Sequence, residues 1–274
     1  MFPQIRRMGR CGGTAPQGAA GLRPLHVLAA GALIIALAIP ARAQDRIDPE
    51  PGFFDPLVTL APGISRELDL LFDHTRAGHE RFTLMSLKLQ YPVLSWLQFS
   101  VEMPALVLDP DRGESAAGAG DLVVVGQAAV LKTRPGTAEL DIGVELTLPT
   151  GSASLLGGST AVRPFVSGAI KIGPLDLIAN LSHQWVVDGP VSGIQLFQAN
   201  AALGYPLARV TPFVELSLIQ PVQRVDDDRA QLYVLPGLEL FLPWNLSVSV
   251  GVQLPLTSAR FFEQRVLGLL KWQF

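Results

Sequence analysis

The chain holds one cysteine in 274 residues, Cys11, so no disulfide can brace the fold. After Pro40 it has no run of 18 or more apolar residues, so it offers no helix long and apolar enough to cross a bilayer. Basic residues are not in excess: 21 Lys+Arg stand against 24 Asp+Glu, which argues against nucleic acid as a partner. Yet mean hydropathy is positive, at +0.34. A hydrophobic chain without a spanning helix has to distribute its apolar residues by alternation, which strands do and membrane helices do not.

The first 43 residues contain no acid, and Arg6, Arg7, Arg10 and Arg23 lie among them. An apolar run from Val27 to Ile39 follows, then Pro40 and an A-x-A site at Ala41 and Ala43. This order predicts a secretory signal peptide over 1–43, cleaved after Ala43. The run is short for a transmembrane anchor and ends on a helix breaker. Removing the leader removes five arginines, leaving 16 Lys+Arg against 24 Asp+Glu in residues 44–274. Residues 44–65 alternate poorly and read as a loose periplasmic leader or as a small plug built on Phe53, Phe54, Leu57, Val58 and Leu60.

From Arg66 onward the chain divides into alternating segments of about ten residues. Leu140, Ile142, Val144, Leu146 and Leu148 alternate with Glu139, Asp141, Gly143, Glu145 and Thr147. Leu246, Val248, Val250, Val252 and Leu254 alternate with Ser247, Ser249, Gly251 and Gln253. A helix would scatter the charges around its surface, whereas a strand keeps them on one side. Twelve strands are expected, at 66–74, 82–91, 97–107, 121–132, 138–149, 162–172, 175–187, 194–205, 210–220, 230–242, 246–257 and 262–274. Ten or fourteen would result from merging or splitting one segment. Tight connections at 92–96, 133–137, 173–174, 206–209 and 243–245 alternate with longer ones at 75–81, 108–120, 150–161, 188–193, 221–229 and 258–261. Short turns alternating with longer loops predict an all-β, antiparallel, up-and-down transmembrane barrel of the Gram-negative outer membrane, with the short turns in the periplasm. The last segment supports this: Val266, Gly268, Leu270, Trp272 and Phe274 share one face, and a strand ending on an aromatic is the form read by the barrel-assembly machinery. A soluble sandwich or barrel is the alternative, and Pro104, Pro164, Pro212, Pro236 and Pro255 are awkward inside strands.

If the apolar face meets lipid, the other lines the lumen. That assigns Asp69, Lys88, Glu102, Glu139, Asp141, Glu145, Arg163, Lys171, Asp176, Glu215, Glu239, Arg265 and Lys271 to the interior as a candidate solute path, eight acids to five bases. A charge on the lipid face costs roughly 2–4 kcal/mol for Arg or Lys at the midplane, so confinement to one parity is required of any such barrel. The charges serve equally well to line a pore or to fill it by pairing. Trp185, Tyr205, Trp272 and Phe274 suit interfacial aromatic girdles, and Trp96 and Trp244 in short turns suit the periplasmic interface. Lipid and lipopolysaccharide are the surroundings this implies.

The sequence carries no catalytic motif. His74, His79 and Glu80 lack a third metal ligand at fixed spacing, and residues 226–228, Asp109, Asp111 and Glu114 read as solvated loop tips, so neither a metal nor a cofactor is expected. A lipid-hydrolysing barrel would need Ser and His together on the lipid face. His183 has that parity, but Ser182 and Gln184 beside it do not.

Leu146-Thr147-Leu148-Pro149-Thr150-Gly151, Pro164-Phe165-Val166 and Pro212-Phe213-Val214-Glu215-Leu216, with Gly-rich late strands and the final aromatic, resemble the MetA-pathway of phenol degradation family of outer-membrane proteins. The likeness runs from Gly120 to Phe274. The resemblance implies a transporter-like barrel passing small aromatic or hydrophobic compounds, and it supplies no catalytic residue. Three functions are therefore expected in descending order: a passive channel for small hydrophobic or aromatic solutes, a closed structural or adhesive barrel, and a lipid-hydrolysing barrel.

Overall fold

The computed structural model describes residues 53–110, 116–133, 137–152, 158–223 and 229–274. The expected signal peptide with Ala41 and Ala43, residues 44–52, Asp111, Glu114 and residues 226–228 lie outside them. The described residues contain strands and turns and no helix.

The strands are β1 (Glu67–Ala77), β2 (Glu80–Leu94), β3 (Leu97–Pro110), β4 (Ala116–Ala119), β5 (Leu122–Lys132), β6 (Ala138–Leu148), β7 (Thr160–Ile172), β8 (Leu175–Asp188), β9 (Gln195–Gly204), β10 (Val210–Gln223), β11 (Gln231–Leu242), β12 (Leu246–Pro255) and β13 (Gln264–Gln273). All pairings are antiparallel, and β1 pairs with both β2 and β13, which closes the sheet. The short β4 and the longer β5 both pair with the same side of β3: Ala105 faces Ala119, and Glu102 faces Val123. They are one barrel position broken by a bulge at Gly120-Asp121, so the barrel is twelve-stranded among the described residues.

The distribution of side chains decides between a soluble and a membrane barrel. Leu87, Ile142 and Val250 are 48%, 51% and 51% exposed, while Asp141, Glu215 and Glu239 are 0% exposed. The apolar parity faces out and the charged parity faces in, the reverse of a soluble core. Register reinforces this. Glu145 lies opposite Arg163, Lys171 opposite Asp176, and Asp69 between Lys88 and Lys271. Opposite charges directly across a ladder stabilise the chosen register.

Pro104, Pro164 and Pro236 each sit where the ladder on one side is interrupted. β7 and β8 lose pairing at Arg163 and Pro164, between Val162↔Trp185 and Phe165↔Ser182. β11 and β12 lose it at Leu235 and Pro236, between Val234↔Leu254 and Gly237↔Gly251. Pro104 faces the β4–β5 bulge, where Gly120 N donates to its carbonyl at 2.8 Å. A proline lacks the N–H, so each interruption falls where the donor is missing.

Two connections differ from their sequence reading: the expected loop 108–120 contains β4 and the end of β3. Residues 75–81 are not a longer loop: β1 and β2 pair as far as Ala77↔Glu80, and Gly78 turns the chain at φ 61°. Only a residue free of Cβ takes that conformation without strain, so the hairpin is tight.

Candidate functional site in the barrel lumen

The interior is occupied from both ends. From the short-turn end, residues 53–65 run inside the wall before joining β1. Their backbone is held by inward side chains from strand after strand. Asp55 N donates to Glu239 Oε2 at 3.2 Å, and Leu57 N, Val58 N and Thr59 N all donate to the Glu215 carboxylate at 2.6–3.3 Å. Thr59 Oγ1 donates to the same carboxylate at 2.8 Å. Leu60 N donates to Asn180 Oδ1 at 3.0 Å, Gly63 N to Asp141 Oδ2 at 2.8 Å and Ser65 N to Gln98 Oε1 at 3.0 Å. The Ser167 hydroxyl donates to the Leu60 carbonyl. Three successive amides on one carboxylate form an anion-holding nest, with the barrel supplying the anion.

Lys271 ties this segment to the closing seam. Its Nζ lies 2.6 Å from Asp55 Oδ2 and 3.1 Å from Glu67 Oε2, and its side chain is 7% exposed. Burial pushes the Asp55 carboxyl above its ordinary range, and the Lys271 ammonium beside it opposes that rise.

Glycines in the wall seat the apolar residues of the segment. A Cβ on Gly204 would stand 2.5 Å from the Phe54 ring, and one on Gly251 would stand 2.9 Å from Leu57 Cδ1. Phe54 is 2% exposed and stacks on Phe213 at 5.3 Å. Gly204→Ala is therefore expected to unseat Phe54, at a cost of about 1–3 kcal/mol. Faster proteolysis within 53–65, with the barrel itself still protected, checks this.

From the other end, the connection between β12 and β13 folds inward. Phe261 and Phe262 are buried with Leu196, Ile219 and Tyr233. Tyr233 stacks on Phe262 at 4.3 Å, accepts Phe261 N at 2.7 Å and donates to Gln231 Oε1 at 2.7 Å.

The charged residues proposed from sequence divide into pairs and anchors. Lys88 meets Asp69 at 3.9 Å, Lys171 meets Asp176 at 3.8 Å, and Arg163 pairs with Glu145. Arg265 grips Asp73 through Nε at 2.8 Å and Nη2 at 2.6 Å. Lys132 lies 4.0 Å from Glu139, and Glu102 stands in register with Lys88. Asp141, Glu215, Glu239 and Lys271 hold the segment. Sequence reasoning passed over Asp73, although it shares the parity of Asp69. It also passed over the neutral anchors Gln98, Gln127, Asn180 and Ser167, because only charge was followed along the inward face. Gln98 Nε2 donates to Gln127 Oε1 at 3.2 Å, and Gln127 Nε2 donates to Asp141 Oδ2 at 2.7 Å, so these amides are one chain beneath the segment.

Trp96, Tyr205, Trp244, Trp272 and Phe274 are exposed around the short-turn end, and Trp185 is exposed near the opposite end. His183 stacks on Trp185 at 4.3 Å. Ser182 beside it is buried on the inward face, so the two side chains lie on opposite sides of the wall. Among the described residues, no group of three or more His, Cys, Asp or Glu is placed to hold a metal ion.

No family model matches the chain, and no curated protein matches its sequence. Solved structures do match. The COG4313 outer membrane channel from Pseudomonas putida F1 aligns with a TM-score of 0.62 at 14% identity, over 81% of this chain and 100% of that one. A KdgM porin aligns at 0.54 and 11% identity, over 76% and 99%. A NanC porin aligns at 0.54 and 12% identity, over 76% and 98%. At such identities the likeness is one of architecture, and it is the architecture of an outer-membrane β-barrel.

Proposed function

We propose that the chain is an outer-membrane channel for small hydrophobic or aromatic solutes, closed at rest by residues 53–65 and opened when that segment leaves the wall. The observation that carries this reading is how the segment is held. The barrel grips its backbone amides through acceptors on separate strands, so the segment can detach without unpairing a strand. Its own apolar side chains sit in glycine seats, which a flat apolar molecule could occupy in its place.

Two further features support the reading. Rings meet at two levels of the lumen, Phe213 of the wall with Phe54 of the segment and Tyr233 of the wall with Phe262 of the β12–β13 connection, and the inward faces also carry hydroxyls of Ser86, Ser182, Thr211 and Ser217 that have no protein partner among the described residues. Buried hydroxyls of that kind are satisfied by water or by a passing solute. Structural neighbours bear the names porin and outer membrane channel. The aromatic class of solute comes from the resemblance to the phenol-degradation family.

A second reading keeps the barrel closed. The paired charges and the seated segment favour it, because together they fill the lumen. Flux through the refolded protein in liposomes separates the two, using a phenol-like acid, a neutral sugar and a long-chain hydrophobe. Preferential passage of the aromatic acid, reduced by neutralising Arg163, Lys171 or Glu145, is the expected result. No flux of any solute from a sample that still shifts on heating would make the barrel structural.

A further inference from the structure

The β7–β8 and β11–β12 ladders are both broken at a proline, and the two breaks are finished differently. At β11–β12 the inner side is sealed: Leu235 is 0% exposed, and a Cβ on Gly251 of β12 would stand 2.5 Å from its Cδ2. Among Leu235, Pro236, Val252 and Gln253, which flank that break, no buried side-chain polar atom lacks a partner. At β7–β8 the rungs that would join Arg163 to Gln184 and Pro164 to His183 are missing. Here the inward side chains of β7 lean away from the gap, onto β6. A Cβ on Gly143 would stand 2.3 Å from the Phe165 ring, and the Arg163 guanidinium pairs with Glu145. Three buried polar atoms at this break have no partner among the described residues: Arg163 Nε, Ser182 Oγ and His183 Nε2. Ser182 lies on the lumen face and His183 on the outer face, so these atoms form a polar step through the wall.

The break lies between the two fillings of the lumen. One inward pair toward the short turns, Ser167 and Asn180 hold Leu60 of the inner segment. Toward the long loops, Gln184 faces Leu196, which is buried with Phe261 and Phe262. On the outer face, Trp185 stacks on His183 at 4.3 Å and lines a recess of about 420 Å³ at the long-loop rim. A buried polar atom without a partner is satisfied by water or by a bound polar group. Beside lipid that group is neutral, because charge is costly there. A phenol fits: its ring suits the apolar wall, and its hydroxyl both donates and accepts. It accepts from Arg163 Nε, exchanges with Ser182 Oγ and bonds His183 Nε2 in either tautomer. We infer that the β7–β8 break is a side port, at which Arg163, Ser182 and His183 pass the hydroxyl of a neutral phenol between the lumen and the outer leaflet. The solute class rests on the channel reading above, and the position of the port rests on the break alone.

The test is photolabelling of the full chain in liposomes with a neutral phenol that carries a diazirine. Adducts at 163–164 and 182–185 are expected to exceed those at 235–236 and 252–253 by about tenfold, because the second break offers no polar step. Pro164→Val restores the missing N–H and is expected to cut labelling at the first break by about that factor. Ser182→Ala with His183→Leu keeps the break, removes two of its polar atoms and is expected to cut labelling as far. The same probe with its hydroxyl methylated is expected to label the two breaks alike. Equal labelling of the two breaks by the phenol, labelling that neither variant lowers, or the same preference from the methylated probe would each overturn the port. Flux of the phenol-like acid is measured on the same liposomes. Acid flux without preferential labelling would sink the port and spare the channel reading, and preferential labelling without acid flux would do the reverse.

Discussion

Lys271→Met is expected to lower the barrel's stability by about 3–5 kcal/mol, the cost of leaving buried charge without its partner. Three carboxylates lose one cation. Asp55 and Glu67 are in direct contact with Nζ, and Asp69 faces Lys271 across the seam. Asp69 keeps Lys88, at 3.9 Å, but Asp55 has no second cation in contact among the described residues. The loss falls at β1–β13, the pairing that closes the barrel. The temperature at which the folded band converts on a gel should fall sharply, and the inner segment should loosen with it. Adding Asp55→Asn to Lys271→Met should restore part of the stability, because one of the uncompensated charges is then gone. Stability equal to that of the unaltered protein would show that the lysine is a bystander.

Glu215→Ala is expected to open the channel while leaving the barrel folded. The carboxylate accepts from three successive amides and one hydroxyl of residues 57–59. A hydrogen bond to a charged group contributes about 1.5–3 kcal/mol. A shift of even about 2 kcal/mol changes a two-state equilibrium some 30-fold, so the released form gains about that factor over the closed one. Conductance and liposome swelling should rise accordingly. Glu215→Gln keeps one acceptor oxygen without its charge, and its flux should fall between the two. The strand itself has little need of the residue: Glu215 lies on β10 opposite Leu235 and Ala202, neither of which bonds its side chain. Unchanged flux with an intact heat shift would mean that the segment is not the barrier.

The wall of this barrel is legible in the sequence because its physics is periodic. Lipid outside and polar contacts inside force one parity onto each face, so the alternation of Leu140 to Leu148 with Glu139 to Thr147 fixed both β6 and its orientation. Where the period is broken, the signal thins. β4 was not read at all, because a bulge at Gly120-Asp121 resets the register. Residues 75–81 have the length and polarity of a longer loop, and the tight β1–β2 turn depends on the single Gly78.

The occupant of the lumen was harder to read for a different reason. Residues 53–65 are held through backbone amides, which every sequence has, and the side chains that hold them are spread over strands far apart in the chain. Glu215 and Glu239 could be placed on the inward face, but nothing about them names an amide as the partner. Gly204 and Gly251 show no use in the sequence, and only the folded barrel sets Phe54 and Leu57 above them. The residues that close this lumen are thus visible one by one in the sequence, and only the folded barrel brings them together.

The most direct test is to pin the segment. Leu60 N lies 3.0 Å from Asn180 Oδ1, so Leu60→Cys and Asn180→Cys in a Cys11→Ser background place two thiols within reach of a short cross-linker. They are joined with a short bifunctional reagent that a reductant can cleave. Flux of the phenol-like acid should stop on cross-linking and return on reduction, with the folded band unchanged throughout. Flux that continues at full rate with the segment pinned would contradict a channel gated by residues 53–65.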